Sequence, residues 1–223
     1  MDRQGCRSCN RSPHKPRLYE NQRDSQRRRG SHFCKPRQLC NQRKPTATFA
    51  GGCFWCTEAV FKRLKGVESV VSGYAGSQVE NPTYQRVSSG STGAAEAIQL
   101  KFDPKRISYE KLLEIFWATH DPTTLNRQGA DSGTQYRSSI FYQNETQKQA
   151  AEKSKEEMDR SGKMPSTIVT EIIPLKNFSK AEDYHQNYYE LNKNSNPYCS
   201  IVIDPKIEKL IHLFNDQIKE EYK

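Results

Sequence analysis

The feature that most constrains this chain is an abrupt change in composition near Pro45. Residues 1–45 contain no Ala, Val, Ile or Trp, and they carry 13 Lys and Arg against three Asp and Glu, a net charge of +10. The remaining residues carry 22 basic and 23 acidic side chains, a net charge of −1. A segment so poor in apolar side chains cannot bury enough surface to fold, so we predict a disordered basic tail over residues 1–45. Residues 46–223 are long enough for a hydrophobic core and are predicted to form one catalytic domain.

The same composition bears on location and partners. No apolar run approaches the ~18 residues that a transmembrane helix needs, and no apolar stretch of a secretory signal follows the charged N-terminus. We therefore expect a cytoplasmic protein that makes no membrane contact. The Arg-rich tail also fits an organellar targeting segment, a plain extension, or nonspecific nucleic-acid contact, although it lacks the apolar stripe of a transit peptide.

Hydrophobic periodicity after Pro45 predicts alternating strands and helices. Period-two alternation and Val-rich runs predict strands over residues 46–50, 67–74, 96–102, 137–142 and 168–173. Helical spacing and capping residues predict helices over residues 53–65, 108–120, 144–160 and 180–191, and a last helix from residue 204. No glycine-rich phosphate loop is present, so nucleotide binding has no support. This order predicts an α+β two-layer sandwich, with helices packed on a mixed or antiparallel sheet.

The cysteines divide between the two parts of the chain. Four lie in the tail and three in the domain, and they are Cys6, Cys9, Cys34, Cys40, Cys53, Cys56 and Cys199. The odd number in the domain argues against a purely structural disulfide framework. The CxxC of Cys53 and Cys56 is typical of a redox-active or a metal-binding pair in a reducing compartment. The tail cysteines have irregular spacing for zinc and no His pair beside them, so we expect no metal.

Cys53 follows two glycines and opens the first predicted helix. A thiol at that position lies near unpaired N–H groups and the positive end of the helix dipole, which lowers its pKa from about 8.5 toward neutrality. The alternative is a small buried apolar residue. Phe54 and Trp55 beside it suit an apolar pocket, and they suit ordinary core packing equally well.

Glu96 begins a strand and shares the apolar face of Ile98 and Leu100. A carboxyl in such surroundings has a raised pKa and stays protonated near pH 7, as a general acid requires. An exposed glutamate at the end of a strand is the alternative.

The polar stretch of residues 128–137 is a second candidate for function. Its Asp131 and Tyr136 are candidates to hydrogen-bond a substrate oxygen, against the alternative of a solvated loop. His120 and His185 have no metal-ligand spacing with other residues, and we predict that both are structural histidines.

Several short motifs in a fixed order carry a family resemblance. They are Gly52-Cys53-Phe54-Trp55, Gly73-Tyr74-Ala75-Gly76, Asn81-Pro82-Thr83-Tyr84, Glu96, His120-Asp121-Pro122-Thr123-Thr124, Gln128 to Arg137, and Tyr184-His185-Gln186. With them, residues 46–205 strongly resemble the A-type peptide-methionine (S)-S-oxide reductases. The resemblance implies an α+β domain built on a ferredoxin-like core, and an enzyme that reduces methionine S-sulfoxide, free or in proteins. It implies no cofactor, with thioredoxin or another dithiol as the reductant.

The resemblance also implies a role for each site residue. Cys53 would attack the sulfoxide sulfur, and Glu96 would bind and protonate the oxygen together with Tyr84, Asp131 and Tyr136. The methyl group of the substrate would be held by Phe54 and Trp55, in a pocket that Tyr198 closes. Methionine would leave and Cys53 would become a sulfenic acid, which condenses with a second thiol to a disulfide that thioredoxin reduces.

Two cysteines are candidates for the second thiol. Cys199 resembles the C-terminal resolving cysteine of many family members. Cys56 lies three residues from Cys53 on one helix, with Cα atoms about 5–6 Å apart and within disulfide range. A relay through both is the third possibility.

Two other function classes remain open at this point. One is a basic-tailed RNA- or zinc-binding protein with an inactive domain. The other is a generic CxxC disulfide oxidoreductase, which leaves Glu96 and residues 128–137 without a role. For the reductase we expect a monomer whose partners are oxidised proteins, free methionine sulfoxide and thioredoxin.

Overall fold

A computed structural model describes residues 44–223 of the chain. The predictions of disorder, of a targeting segment and of no metal at the tail cysteines concern residues 1–43, which lie outside the described residues. The first strand begins at Thr46. The division of the chain at Pro45 stays a prediction.

The described residues form eight strands and six helices, with short 3₁₀ turns between them. The strands are β1 (Thr46–Gly51), β2 (Val67–Ala75), β3 (Ala95–Phe102), β4 (Arg127–Gln128), β5 (Asp131–Ser132), β6 (Ser138–Tyr142), β7 (Glu171–Pro174) and β8 (Phe178–Lys180). The helices are α1 (Phe54–Lys62), α2 (Tyr84–Ser88), α3 (Tyr109–Thr119), α4 (Glu145–Arg160), α5 (Tyr188–Asn192) and α6 (Asp204–Phe214). None of the helices in this part of the chain has the length and apolar character that crossing a membrane requires.

Six of the strands form one mixed sheet in the order β7-β6-β1-β3-β2-β8. Strands β6 and β7 are parallel, and the other neighbours are antiparallel. The elements β1, α1, β2, β3, α3 and β6 follow one another as β-α-β-β-α-β, and their strands lie in the order β6-β1-β3-β2. This is the ferredoxin-like arrangement. The predicted α+β fold, with its mixed sheet and ferredoxin-like core, is confirmed.

The main core lies between the sheet and the helices on one of its faces. Phe49 of β1 is fully buried there, with its ring centroid 5.5 Å from that of Phe61 in α1 and 5.2 Å from that of Phe116 in α3. Strand β3 presents Ile98 and Leu100 to the same cluster, to which α4 and α6 also contribute. The opposite face buries a smaller set, which consists of Ala50, Ala75, Ala95, Ala97 and Phe141. The helices and the sheet therefore form two layers, and β1 is held rigidly where it leads into the first helix.

Two predicted helix caps are present, one of them in altered form. The Ser108 hydroxyl accepts a hydrogen bond from the Lys111 amide at 3.1 Å, and Asn144 accepts one from the Gln147 amide at 2.9 Å. The Gln147 side chain does not return to Asn144, as a full capping box requires. It accepts from the amide of Gln143 at 2.9 Å and donates to the carbonyl of Thr46 at 2.7 Å, and so ties α4 to β1.

The predicted helix over residues 180–191 is wrong. This stretch holds the end of β8, a 3₁₀ turn over Asp183–His185, and the short α5, which follows Asn187 in a left-handed conformation with φ 55°. Glu182 caps no helix, because its carboxylate accepts hydrogen bonds from the Tyr74 hydroxyl at 2.7 Å and the Tyr84 amide at 2.9 Å. The tertiary hydrogen bonds of Glu182 have therefore overridden the local preference of this stretch for a helix.

Three further boundaries differ from the predictions. The strand predicted from residue 168 begins only at Glu171, and α2 lies between two predicted strands, in a stretch where no helix was predicted. Ile218 is fully buried but lies beyond α6, where it forms an isolated β-bridge with Leu64.

We expect the substitution Phe49→Ala to lower the free energy of unfolding by about 3–5 kcal/mol, because it removes a large side chain from the middle of the aromatic cluster. Urea denaturation followed by circular dichroism measures this loss. The control is Leu125→Ala, whose side chain is 71% exposed and whose effect should stay within about 0.5 kcal/mol. Equal effects of the two substitutions would contradict this account of the core.

Candidate active site

Cys53 lies at the point where β1 gives way to α1. The preceding Gly52 has φ 90°, and a Cβ atom there would lie 2.5 Å from the Cγ of Gln128. Glycine is therefore required both by the backbone conformation and by the close approach. The carbonyl of Cys53 accepts hydrogen bonds from the amides of Cys56 at 3.1 Å and Thr57 at 3.3 Å, which makes Cys53 the first residue of the helical turn. Its side chain is buried, with a relative exposure of 6%.

Glu96 lies beside the same helix start. It pairs with Tyr74 across β2 and β3, and it is 2% exposed. One carboxyl oxygen accepts a hydrogen bond from the Phe54 amide at 3.1 Å, which satisfies one of the open N–H groups of α1. Burial raises the pKa of Glu96 to about 8. The carboxyl is therefore predominantly protonated at pH 7, as its place on an apolar strand face predicts.

The thiol pKa values do not follow the sequence prediction. Burial raises the pKa of Cys53 well above its ordinary value, and the nearby Cys56 and Glu96 raise it further. The expected lowering by the helix start is therefore wrong, because loss of hydration outweighs the dipole. It is Cys56 whose pKa is lowered, to about 7, chiefly through a hydrogen bond from Cys53. The two thiols titrate as a pair, in which the hydrogen bond from Cys53 favours the thiolate form of Cys56.

Aromatic side chains form a wall next to Cys53. The ring of Trp55 stacks on Tyr188 with centroids 3.6 Å apart, and the ring of Tyr198 meets it edge-on at 5.9 Å. Phe54 is buried, with its ring centroid 5.0 Å from that of His185. Such a wall favours a small apolar group and excludes water from the thiol.

His185 is fixed by the same wall. The indole nitrogen of Trp55 donates a hydrogen bond to its Nδ1 at 3.1 Å. Burial lowers the pKa of His185, so the ring is neutral at pH 7 and its hydrogen is on Nε2. That nitrogen is buried and has no hydrogen-bond partner among residues 44–223.

Tyr198 joins three parts of the chain. Its hydroxyl donates to an oxygen of Asp131 at 2.7 Å and lies 3.8 Å from the sulfur of Cys56. The Tyr198 amide donates to the side chain of Asn196 at 2.9 Å, so Asn196 caps the helical turn that follows. This turn continues into a π-helical segment over Cys199–Ile203 and then into α6. Segments of this kind are common at functional sites.

Two further phenols face the carboxyl of Glu96. The amide of Tyr84 is held by Glu182, and its ring centroid lies 4.6 Å from that of His185. Tyr136 ends a 3₁₀ turn that follows β5. Burial raises the pKa of both phenols, and the proximity of Glu96 raises it further. Both hydroxyls are therefore protonated hydrogen-bond donors at neutral pH.

The three cysteines of this part of the chain lie in one apolar cluster. Cys53, Cys56 and Cys199 are free thiols, and they share this cluster with Ala59, Ile203 and Ile207. Cys199 has no solvent exposure, and burial raises its pKa. No group of three or more His, Cys, Asp or Glu side chains within residues 44–223 is placed to hold a metal ion.

Comparison of the chain with known proteins identifies its family. The family model described as peptide methionine sulfoxide reductase matches residues 45–218. The chain belongs to the peptide methionine sulfoxide reductase family. It is a thiol-dependent oxidoreductase that acts on methionine sulfoxide.

Individual relatives agree with this assignment. The chain is 53% identical over 173 residues to the peptide methionine sulfoxide reductase MsrA of Saccharolobus solfataricus, which covers 78% of this chain and 96% of the relative. It is 52% identical over 173 residues to the MsrA of Deinococcus radiodurans, covering 78% of this chain and 84% of the relative.

Solved structures share the fold. Mxr1 from Saccharomyces cerevisiae in reduced form matches with a TM-score of 0.63 and 36% identity, over 69% of this chain and 88% of that one. Methionine sulfoxide reductase A of Corynebacterium diphtheriae matches with a TM-score of 0.62 and 32% identity, over 69% of this chain and 77% of that one.

The structure brings the sequence-predicted site residues of the reductase into one region. Direct contacts or electrostatic interactions link those predicted as catalytic, resolving or substrate-binding, namely Cys53, Glu96, Cys56, Cys199, Phe54, Trp55, Tyr84, Asp131, Tyr136 and Tyr198. Asp131 meets the others through the Tyr198 hydroxyl rather than directly. The roles of these residues stay predictions.

Sequence reasoning missed three residues of this region. His185 was expected to be structural, yet it lies between Phe54, Trp55 and Tyr84, and the Tyr184-His185-Gln186 motif was the available signal. For Tyr188 and Glu182, the sequence contained no indication of a functional role beyond their place in a Tyr-rich stretch. His120 does fit a structural role, since its two ring nitrogens contact the Phe116 carbonyl at 2.6 Å and the Ser138 hydroxyl at 2.8 Å.

The raised pKa of Glu96 gives a pH dependence of stability with a definite sign. A carboxyl whose folded pKa lies above its unfolded value near 4.5 contributes stability that is complete below that pH and lost as pH rises through about 8. Glutamine has the same shape and cannot ionise. We therefore expect Glu96→Gln to lose less stability than the wild-type chain between pH 4 and pH 9, by on the order of 5 kcal/mol. Urea denaturation at a series of pH values measures this.

The control for this prediction is Glu152→Gln, at an exposed position of α4. Its stability should follow the wild-type pH curve. Parallel curves for Glu96→Gln and the wild type would contradict the assignment of a buried, protonated carboxyl.

Proposed function

We propose that this reductase acts on the S epimer of methionine sulfoxide, free or in proteins, with Cys53 as the nucleophile and Glu96 as the general acid. One observation carries the assignment of roles. The first turn of α1 presents the Cys53 thiol and, through the Phe54 amide, a buried protonated carboxyl at the same point. A sulfoxide needs both groups, because its sulfur must accept a nucleophile while its oxygen accepts a proton.

The surroundings support a definite orientation of the substrate. The methyl group lies against Phe54 and Trp55, and Tyr198 closes that pocket at the edge of the indole. The sulfoxide oxygen faces Glu96, and the hydroxyls of Tyr84 and Tyr136 donate hydrogen bonds to it. Asp131 acts by holding the Tyr198 hydroxyl. If the apolar wall holds the methyl group while the donors hold the oxygen, only one arrangement of methyl, oxygen and side chain around a chiral sulfur satisfies both.

The first step converts a thiol and a sulfoxide into a sulfenic acid and a thioether. The Cys53 proton passes to Cys56 within the hydrogen-bonded pair, and the Cys53 sulfur forms a bond to the sulfoxide sulfur. Glu96 gives its proton to the oxygen, which then moves to the Cys53 sulfur as the bond between the sulfurs breaks. Methionine leaves with the electron pair that Cys53 supplied, and Cys53 becomes a sulfenic acid.

The cysteine contacts favour a relay through both remaining thiols. Cys56 interacts directly with Cys53, whereas the pKa of Cys199 responds to Cys56. We therefore assign the first disulfide to Cys53 and Cys56. Cys56 gives up the proton that it took from Cys53, and its thiolate attacks the sulfenic acid sulfur. The S–S bond forms and the hydroxide leaves as water with that proton, while Glu96 regains its own proton from solvent. Cys199, as a thiolate, then attacks the Cys56 sulfur and releases the Cys53 thiolate for the next cycle.

The second disulfide requires an external dithiol. Thioredoxin is the reductant we assign, and the oxidised proteins and free methionine sulfoxide are the other partners. The same assignment places the enzyme in the cytoplasm, where thiols are kept reduced. We propose that the enzyme acts as a monomer.

The test of this function compares the two separated epimers of methionine sulfoxide, with dithiothreitol as the reductant. We expect methionine from the S epimer alone, and none with Cys53→Ser, because serine is a far weaker nucleophile at neutral pH. Chromatography of the released methionine measures both outcomes. Full turnover by Cys53→Ser, or equal turnover of the two epimers, would contradict the assignment.

The relay makes a separate prediction for the other two cysteines. Both Cys56→Ser and Cys199→Ser should release one equivalent of methionine in a single turnover without reductant. After that turnover, Cys199→Ser should contain a disulfide between Cys53 and Cys56, whereas Cys56→Ser should hold a sulfenic acid that reacts with dimedone. Mass spectrometry of the quenched, alkylated full-length chain identifies each species. A first disulfide between Cys53 and Cys199 in the wild-type enzyme would contradict this order.

A further inference from the structure

A narrow cavity lies beside Cys56. It has a volume of only about 10 Å³, and Cys56, Thr57, His120 and Lys206 are among the residues that line it. The cavity therefore brings a side chain of α6 to the resolving thiol of α1. It does not include Glu96 or the aromatic wall, so it is separate from the pocket to which we assign the substrate.

Lys206 is not held in place by any polar contact within the described part of the chain. It is partly buried, and it makes no salt bridge and no hydrogen bond with any residue of the described range 44–223. Its neighbour Ile207 belongs to the apolar cluster that contains Cys56 and Cys199. An unpaired cation on the edge of an apolar cluster is stabilised most by a negative charge that forms within it, and a thiolate is such a charge.

Of the titratable groups named here around Cys56, Lys206 is the one that carries a positive charge at pH 7. Burial lowers the pKa of His120 to about 4, so this ring is neutral at pH 7. Asp131 accepts the Tyr198 hydroxyl and raises the pKa of Cys56, whereas Lys206 lowers it. Glu96 is protonated, and Asp204 accepts a hydrogen bond from Tyr189 at 2.6 Å.

We propose that Lys206 is the positioning residue that keeps Cys56 ready as a thiolate for disulfide formation with Cys53. This inference rests on the relay assigned above, in which the Cys56 sulfur forms a bond to the sulfenic acid sulfur of Cys53. The S–S bond replaces the S–O bond, and the hydroxide leaves as water after taking one proton. Lys206 donates no proton and touches neither substrate nor leaving group, and it acts only through the charge on Cys56.

The experiment separates this step from the one before it. Full-length enzyme without reductant is mixed with one equivalent of the S-sulfoxide, quenched with acid at short intervals, alkylated and analysed by mass spectrometry. The rate at which the Cys53 sulfenic acid becomes the Cys53–Cys56 disulfide is measured from pH 6 to pH 10. The variants are Lys206→Met, Lys206→Arg and, as a matched control, Lys209→Met, which removes an exposed cation one turn away on α6.

We expect Lys206→Met to form the disulfide more slowly than the wild type at low pH and faster at high pH. Loss of the positive charge raises the pKa of Cys56, which lowers its thiolate fraction at low pH but makes the thiolate a stronger nucleophile. For a shift of about one unit, disulfide formation in Lys206→Met is about threefold slower at pH 6 and about threefold faster at pH 10, because reactivity follows pKa with a slope near 0.5. Lys206→Arg and Lys209→Met keep the wild-type profile.

Other outcomes overturn the inference. An unshifted profile in Lys206→Met would show that the lysine does not act on Cys56, and so would a shift of equal size in Lys209→Met. A uniform loss of rate at every pH, not restored by arginine, would show a merely structural role. Failure of the proposed function can be distinguished in the same samples, because the wild-type enzyme would then release no methionine.

Discussion

The backbone amide of Phe54 donates a hydrogen bond to the buried carboxyl of Glu96, and this contact fixes the relative position of the two halves of the site. Because an amide at the start of a helix has no partner within the helix, it needs an acceptor from elsewhere. Glu96 supplies that acceptor from the middle of the sheet, where loss of hydration keeps the carboxyl protonated. A single hydrogen bond thus places an acidic proton next to a thiol without any side chain that bridges the two.

The buried surroundings of the thiols set the order in which charge moves through the site. Burial raises the pKa of Cys53, whereas the hydrogen bond from Cys53 lowers the pKa of Cys56. The resting enzyme is therefore protected from indiscriminate oxidation at Cys53, since the thiolate is the reactive form. In the mechanism that we propose, reactivity appears when a substrate oxygen accepts the proton of Glu96. Selectivity for the substrate and protection of Cys53 from oxidation thus have the same physical origin, which is the free-energy cost of an unpaired charge in an apolar cluster.

Much of this arrangement was predictable from local sequence, and the rest required long-range contacts. Period-two alternation placed Glu96 on the buried face of its strand, and the paired glycines placed Cys53 at a helix start. The sign of the Cys53 pKa shift was wrong because it depends on the depth of burial, which no local pattern encodes. The helix over residues 180–191 was wrong because Glu182 finds its partners about 100 residues away in the chain. Lys206 had no sequence signal, since its relation to Cys56 exists only where α6 meets α1.

Under the roles that we propose for Tyr198 and Cys199, their adjacency couples the redox state of the enzyme to its affinity for substrate. Cys199 is fully buried in the turn that follows Tyr198, whose hydroxyl is held by Asp131. A displacement of Cys199 toward the sulfur of Cys56 therefore also disturbs the phenol that closes the methyl pocket. By thermodynamic reciprocity, a bound methyl group that holds the phenol in place disfavours the second disulfide to the same extent. The catalytic cycle thus acquires a direction, in which product leaves before the last cysteine is oxidised and the oxidised enzyme does not compete for fresh substrate.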